Sequence, residues 1–178
     1  MQGKRIANGI VSLLALLGIK LACAASHQVV IPMYLVDENN QSKSIGTVKV
    51  EPSICGVLLT PDLKGLPPGI HGFHIHENPS CADKGMAAGG HFDPANTKEH
   101  NGPYIKHSHL GDLPVLIVNE DGSATLPTLA PRFKMAELKG HALMIHEGGD
   151  NYSDHPEKLG GGGARIACGV ISSAEKKS

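Results

Sequence analysis

Two histidines one residue apart, in Phe73-His74-Ile75-His76-Glu77, are the stretch around which chemistry can be organised in this chain. Along a strand successive side chains alternate faces, so His74 and His76 share a face, their Cα atoms about 7 Å apart at about 3.3 Å per residue. Phe73 and Ile75 take the opposite face and suit a core. Such a wall can hold one side of a metal ion. Other ligand types follow: His91, His100, His109 and Asp112 lie in one stretch, and His146 ends a later apolar run. Zinc in a closed site takes four ligands, commonly imidazole with some carboxylate, and that stretch offers three imidazoles and an aspartate. His107, two residues before His109, is the alternative to it. His74, His76 and His146 offer nitrogen-only ligation, which suits copper(II). Copper changes oxidation state by one electron and zinc does not, so a histidine-bound copper with an open side invites redox chemistry on a small molecule.

Short strands must carry these residues. Strand character occurs at 29–36, 45–50, 56–60, 70–76, 115–118, 123–126, 141–146 and 165–171, with Asn119-Glu120-Asp121-Gly122 as a hairpin turn. Eight short strands without an intervening helix predict an antiparallel sandwich or barrel and argue against a parallel βαβ sheet. Residues 77–112 show no regular pattern, and 147–164 form a second irregular stretch ending in four glycines. A loop as long as the first needs something to offset its ordering entropy. A metal and a disulfide could do so, and the loop contains Cys81 as well as its histidines.

The chain's 178 residues suffice for one domain with a proper core. A net charge of −1 gives no reason to expect binding to nucleic acid or to an acidic membrane. With 3% aromatic residues and no Trp the core must be aliphatic, and 22 glycines and 12 prolines predict many turns. Lys4 and Arg5 precede an apolar run at 6–19 and a small-x-small site, Ala22-Cys23-Ala24, which together predict a signal peptide at 1–24 and a mature domain at 25–178. A lipoprotein anchored at Cys23 is the alternative, disfavoured by Lys20. Export places the chain in an oxidising compartment, where Cys55, Cys81 and Cys168 make one pair and one leftover. The residues alone do not choose the pair.

The motifs Gly72-Phe73-His74-Ile75-His76-Glu77, Gly89-Gly90-His91-Phe92-Asp93-Pro94, Glu99-His100-Asn101-Gly102-Pro103, His109-Leu110-Gly111-Asp112-Leu113-Pro114, Ile145-His146-Glu147 and the run from Gly160 through Arg165 to Gly169 occur in this order. In them the mature chain resembles the copper/zinc superoxide dismutases of the bacterial periplasmic type. The resemblance implies an all-β fold, an eight-stranded antiparallel Greek-key β-sandwich or barrel with two long functional loops. It implies one copper and one zinc per subunit. His74, His76, His91 and His146 fall on copper ligands, and His91, His100, His109 and Asp112 on zinc ligands, His91 bridging the two ions. Arg165 falls on the arginine that draws the anion in, Asp150 on a carboxylate linking His74 and His100, and Cys81 and Cys168 on an intrachain disulfide. The implied substrate is superoxide, converted in the periplasm to dioxygen and hydrogen peroxide. Lys84 and Lys158 are further candidates for steering it. A copper/zinc store without turnover is the competing class; a store needs neither a bridging histidine nor a steering arginine, and both are present. His71 is expected to be structural, and His27, His141 and His155 to lie on the surface. Cys55 is expected to be either a buried small residue or an exposed thiol able to link subunits, and a homodimer stays open beside a monomer.

Overall fold

The computed structural model describes residues 28–36 and 43–172. The expected signal at 1–24, His27 and most of the first turn lie outside them. The described residues form nine strands in order: β1 (Val29–Leu35), β2 (Ser44–Ser53), β3 (Gly56–Leu63), β4 (Gly69–His71), β5 (Phe73–His76), β6 (Leu116–Val118), β7 (Thr128–Ala130), β8 (His141–His146) and β9 (Arg165–Ile171). Seven of them form one curled sheet in the order β5-β8-β9-β1-β2-β3-β7, and β4 pairs with β6 in a second. Every pairing is antiparallel. The core between them is aliphatic, as the composition requires: Ile31, Val48, Val50, Leu59, Leu63, Leu116, Leu143 and Ile145 are buried with Phe73 and Ile75.

Two strands differ from the sequence reading. The run 70–76 is divided at Gly72, so that Ile70 pairs with Ile117 in the small sheet and Phe73 with Ile145 in the large one. A single strand thus serves both sheets by turning a corner where no side chain obstructs it; a Cβ on Gly72 would sit 3.0 Å from the His74 ring. The second difference lies after the 119–122 turn, which forms as expected with Asn119 accepting from Gly122. The 123–126 segment does not return along β6. Ala124 instead makes a lone bridge to Leu63, and regular pairing resumes only at β7, beyond Pro127, which has no N–H to give to a ladder.

The long loop is better ordered than its sequence suggests. β5 is an edge strand of the large sheet, and the loop returns twice to cover that edge. Phe92 N–H donates to Ile75 O at 2.9 Å, Ile75 N–H to Gly111 O at 2.9 Å, and Glu77 N–H to Gly90 O at 3.0 Å. Isolated bridges pair His76 with His91 and His74 with Asp112. The approach is close enough that a Cβ at Gly111 would lie 2.1 Å from the Ile75 carbonyl oxygen. The loop is also tied covalently: Cys81 is bonded to Cys168 on β9, with Cα atoms 5.8 Å apart and a sequence separation of 87. On chain-entropy grounds a crosslink over that span stabilises the fold by about 4–5 kcal/mol. Replacing both cysteines by serine is therefore expected to cost about 4 kcal/mol in denaturant unfolding of the metal-free protein, and a cost below about 1 kcal/mol would show that the unfolded chain gains little from its release.

Candidate metal centre

β5 is buried on both faces. Phe73 and Ile75 enter the barrel core, and His74 and His76 lie beneath the loops. β8 supplies His146 next door, and the loop stitched to the other edge of β5 supplies His91 and Asp112. Two groups of ligand atoms result, each lying within 4.8 Å of one another: His74, His76, His91 and His146, and then His74, His91, His100 and Asp112. His91 belongs to both. Its Nδ1 is 2.9 Å from Asp112 Oδ1, and its Nε2 has no hydrogen-bond partner. His109 stands at the rim of the second group, its Nδ1 3.5 Å from Asp112 Oδ1. His107, the alternative to it, has a largely exposed side chain 3.6 Å from Glu99 and lies outside both groups.

Among the described residues four buried ring nitrogens have no hydrogen-bond partner: His74 Nδ1, His91 Nε2, His100 Nδ1 and His109 Nδ1. Buried polar atoms are normally paired, because leaving one bare costs its solvation. Here the opposite nitrogens of several rings are engaged. His74 Nε2 is 2.9 Å from Asp150 Oδ2, His100 Nε2 is 2.8 Å from Asp150 Oδ1, and His76 Nδ1 donates to Gly89 O at 3.0 Å. A neutral ring that donates from one nitrogen presents a lone pair at the other. His76 Nε2 and His146 Nε2, 3.4 Å apart, converge in the first group. The donor set therefore fits two metal ions, one amid imidazoles and one amid imidazoles and a carboxylate.

Burial, followed by the neighbouring His91, pushes His146 down to about 4, and burial lowers His74, His76 and His91 as well. At His100 burial also opposes charge, but the carboxylates of Asp112 and Asp150 outweigh it and push the ring up to about 9. Hydrogen bonds from these histidines overcome burial at Asp112 and Asp150 and hold both carboxyls well below the usual range.

Asp150 owes its position to residues that motif reading passed over. A Cβ on Gly160, whose φ is +73°, would fall 1.9 Å from Asp150 Oδ1, so only glycine leaves the carboxylate its place. Tyr152 N–H donates to the same oxygen at 2.7 Å, with Tyr152 at φ 57°, a costly conformation for an aromatic residue. The Tyr152 hydroxyl accepts from Val115 N–H at 2.9 Å. Ser108 donates to Asp112 Oδ2 at 2.6 Å. The sequence signal for Gly160 was the glycine run itself; Tyr152 and Ser108 carried none.

Arg165 sits opposite His146 in the β8–β9 register. Its guanidinium donates to Gly85 O at 2.5 Å and to Gly89 O at 2.6 Å, and the second carbonyl also receives His76 Nδ1–H. A cleft of about 620 Å³ reaches His91 and His109, with Lys98, Lys158, Glu77 and Asp93 among the residues of its wall. His71 is buried, its ring nitrogens 2.7 Å from His146 O and 2.8 Å from Pro67 O, which makes it a tie between β4 and the end of β8. His141, expected on the surface, is half-buried: its ring lies 3.9 Å from that of Phe92 and its Nδ1 donates to Glu77 O at 2.7 Å. Cys55 is exposed, which settles its two expected environments in favour of the exposed thiol.

Comparison with known proteins agrees with this geometry. Residues 44–171 match the copper/zinc superoxide dismutase family (SODC). The Cu-Zn superoxide dismutase of Actinobacillus pleuropneumoniae is 54% identical over 153 residues, covering 81% of this chain and 80% of that protein. The Cu/Zn superoxide dismutase structure from Brucella abortus superposes with a TM-score of 0.78 at 47% identity, covering 82% of this chain and all (100%) of that one. The solution structure of the monomeric copper, zinc superoxide dismutase from Salmonella enterica does so with a TM-score of 0.72 at 53% identity, with coverage of 82% and 100%. Matched along most of its length and carrying two groups of metal-ligand atoms that meet at one histidine, the chain belongs to the copper/zinc superoxide dismutase family, oxidoreductases that bind copper and zinc.

Proposed function

We propose that this chain dismutates superoxide in the periplasm, with His74, His76, His91 and His146 holding copper, and His91, His100, His109 and Asp112 holding zinc. The observation that carries the assignment is the set of four orphaned ring nitrogens, which lie on histidines of just these two sets. His74 appears in both clusters by distance, but its single free lone pair at Nδ1 can serve one ion, and the bare Nδ1 of His109 completes the other. When bound, copper would supply the one-electron couple that oxidises one superoxide to dioxygen and, with two protons taken up, reduces a second to hydrogen peroxide, while zinc would supply fixed charge and order.

The chain's own residues do the rest. His91 offers a nitrogen to each set, so its Nε2 is the atom at which a proton can be held and passed to departing peroxide. Asp150 fixes the ring orientation of one ligand from each set, the usual part of a carboxylate behind a ligating histidine. Arg165 is pinned by two carbonyls, and its charge bears on His76 and His146, which puts a cation beside the copper set. Superoxide is an anion, and this enzyme family is itself a standard example of charge focusing into a site. Lys158, on the wall of the cleft, adds to that field. The 1–24 segment serves as the export signal, and the mature protein recovered from the periplasm is expected to begin near Ala25; an intact amino terminus there would refute it.

The mature protein loaded with copper and zinc is expected to consume superoxide, and binding of both metals without turnover would sink the enzymatic reading. Arg165→Ala is expected to slow capture by roughly tenfold, the low end of the range for charge focusing, and to weaken its salt dependence while both metals stay bound. Metal loss, or an unchanged salt dependence, would remove Arg165 from that role.

Proton linkage gives a second test. His146 folds with a depressed pKa of about 4, so the unfolded chain binds more protons and stability falls as the pH drops from about 6.5 to about 4. His100 folds with a raised value of about 9, so its contribution is full below about 6.5 and is lost as the pH climbs through 9. The thermal midpoint of the metal-free protein is expected to peak near pH 6.5, and zinc, by replacing the proton at His100 Nδ1, to remove the alkaline decline. A flat alkaline limb without zinc would contradict the charge state assigned to His100.

A further inference from the structure

Arg132 lies outside the long loop, two residues beyond β7, yet it donates four hydrogen bonds to that loop. Nε donates to Pro103 O at 2.8 Å, Nη1 to Ser108 O at 3.1 Å, and Nη2 to Gly102 O at 3.4 Å and to His109 O. All four acceptors are main-chain carbonyls. They fall in two pairs, 102–103 and 108–109, which are buried and flank the exposed excursion 104–107. One planar fork thus fastens both limbs of the excursion at its base.

The limbs end on residues of the zinc set. His109 is itself in the second pair, and it is the member held most loosely by distance, with its Nδ1 3.5 Å from Asp112 Oδ1 against 3.0 Å for His100. Ser108, in the same pair, sends its hydroxyl to Asp112 Oδ2. The backbone in this segment forms no regular strand or helix, so few ladder bonds fix it; His109 N–H to Glu99 O at 2.9 Å is one. The carbonyls need donors from elsewhere, and Arg132 provides four N–H bonds of fixed relative geometry.

We propose that Arg132 is a positioning residue for the zinc half of the centre: by clamping the carbonyls at 102–103 and 108–109 it sets the backbone of His109 and, through Ser108, the orientation of Asp112. The inference rests on the assignment of His91, His100, His109 and Asp112 to zinc. It separates the two halves, because His74, His76 and His146 sit on β5 and β8 and take nothing from Arg132. It also requires the guanidinium shape. A lysine ammonium is a single point with three donors and cannot span four carbonyls in one plane.

The test compares wild type, Arg132→Lys, Arg132→Ala and Asp112→Ala, each with its disulfide intact. Zinc affinity is measured by chelator competition, the visible bands of cobalt(II) placed in the zinc site report its geometry, and copper is titrated separately. Both Arg132 variants are expected to bind zinc about 10–100-fold more weakly, the range found when a supporting partner of a ligand is removed. Their cobalt bands should be altered, lysine should be no better than alanine, and copper affinity should not change. Wild-type zinc affinity and cobalt bands in both variants would overturn the inference. So would rescue by lysine, or loss of copper and zinc together with the fold, since the role is local. If Asp112→Ala keeps wild-type zinc binding, the ligand assignment itself falls and the Arg132 inference falls with it; zinc lost there but retained in both Arg132 variants condemns Arg132 alone.

Discussion

His74 Nε2 and His100 Nε2 both end on the carboxylate of Asp150, one on each oxygen, at 2.9 and 2.8 Å. The side chain is fully buried, so this bond pair is neither screened nor exchanged with water. At His74 it fixes which nitrogen carries the proton, and therefore which nitrogen is bare, and at His100 it helps to hold the charged ring. Without it the His74 ring could adopt the other tautomer and present an N–H to a cation. The fold keeps Asp150 in place by unusual means: a glycine at 160 that makes room, and Tyr152 in a left-handed conformation that turns its N–H toward the oxygen. Backbone strain of this kind costs on the order of 1–3 kcal/mol and persists where surroundings enforce it. Here the enforcing contacts are the Tyr152 hydroxyl on Val115 N–H and the ring against Gly102.

The same carboxylate joins parts of the chain with different mechanical character. His74 is on a strand inside the sheet, and His100 is on a loop with no ladder of its own. A site assembled from both would inherit the looseness of the loop unless the loop were fastened near each ligand. Fastenings do recur at each one. His91 and Asp112 are stitched to the edge of β5, His100 N–H is held by Asp154 at 3.0 Å, and the Cys81 end is bonded to β9. The edge of β5 is covered by these segments, so the device that removes an exposed strand edge is also the one that delivers ligands.

How much of this was legible in the sequence depends on the range over which each feature is encoded. Alternation is local, so Phe73 and Ile75 in the core and His74 and His76 opposite them could be read directly. Candidate ligands could be named because several motifs occurred in order, and the structure gathers most of them into two clusters. The division of the 70–76 run at Gly72 could not, since each half has strand character and only the choice of partner separates them. The 123–126 segment failed for a related reason: a good turn precedes it, but its partner is decided by where β3 ends, at Leu63. Arg132 shows the limit most plainly. It acts on a loop distant in sequence, through main-chain carbonyls that carry no residue identity, so no spacing rule links it to the residues it holds.

Burial on both faces of β5 has an energetic consequence that ties these points together. Histidines in contact with solvent could hydrate their free nitrogens when no ion is bound. Burial withdraws those of this centre from solvent and also resists protonation, holding His74, His76, His91 and His146 below the ordinary imidazole range. The metal-free fold therefore carries bare lone pairs and a buried charged set at His100, Asp112 and Asp150, all of it unfavourable relative to an apolar core. The aliphatic barrel, the disulfide and the carbonyl clamps must stabilise the chain enough to carry that load before any ion arrives. Ligands already fixed in this way lose little freedom on binding, so more of the coordination energy appears as affinity and less is consumed in ordering the loop.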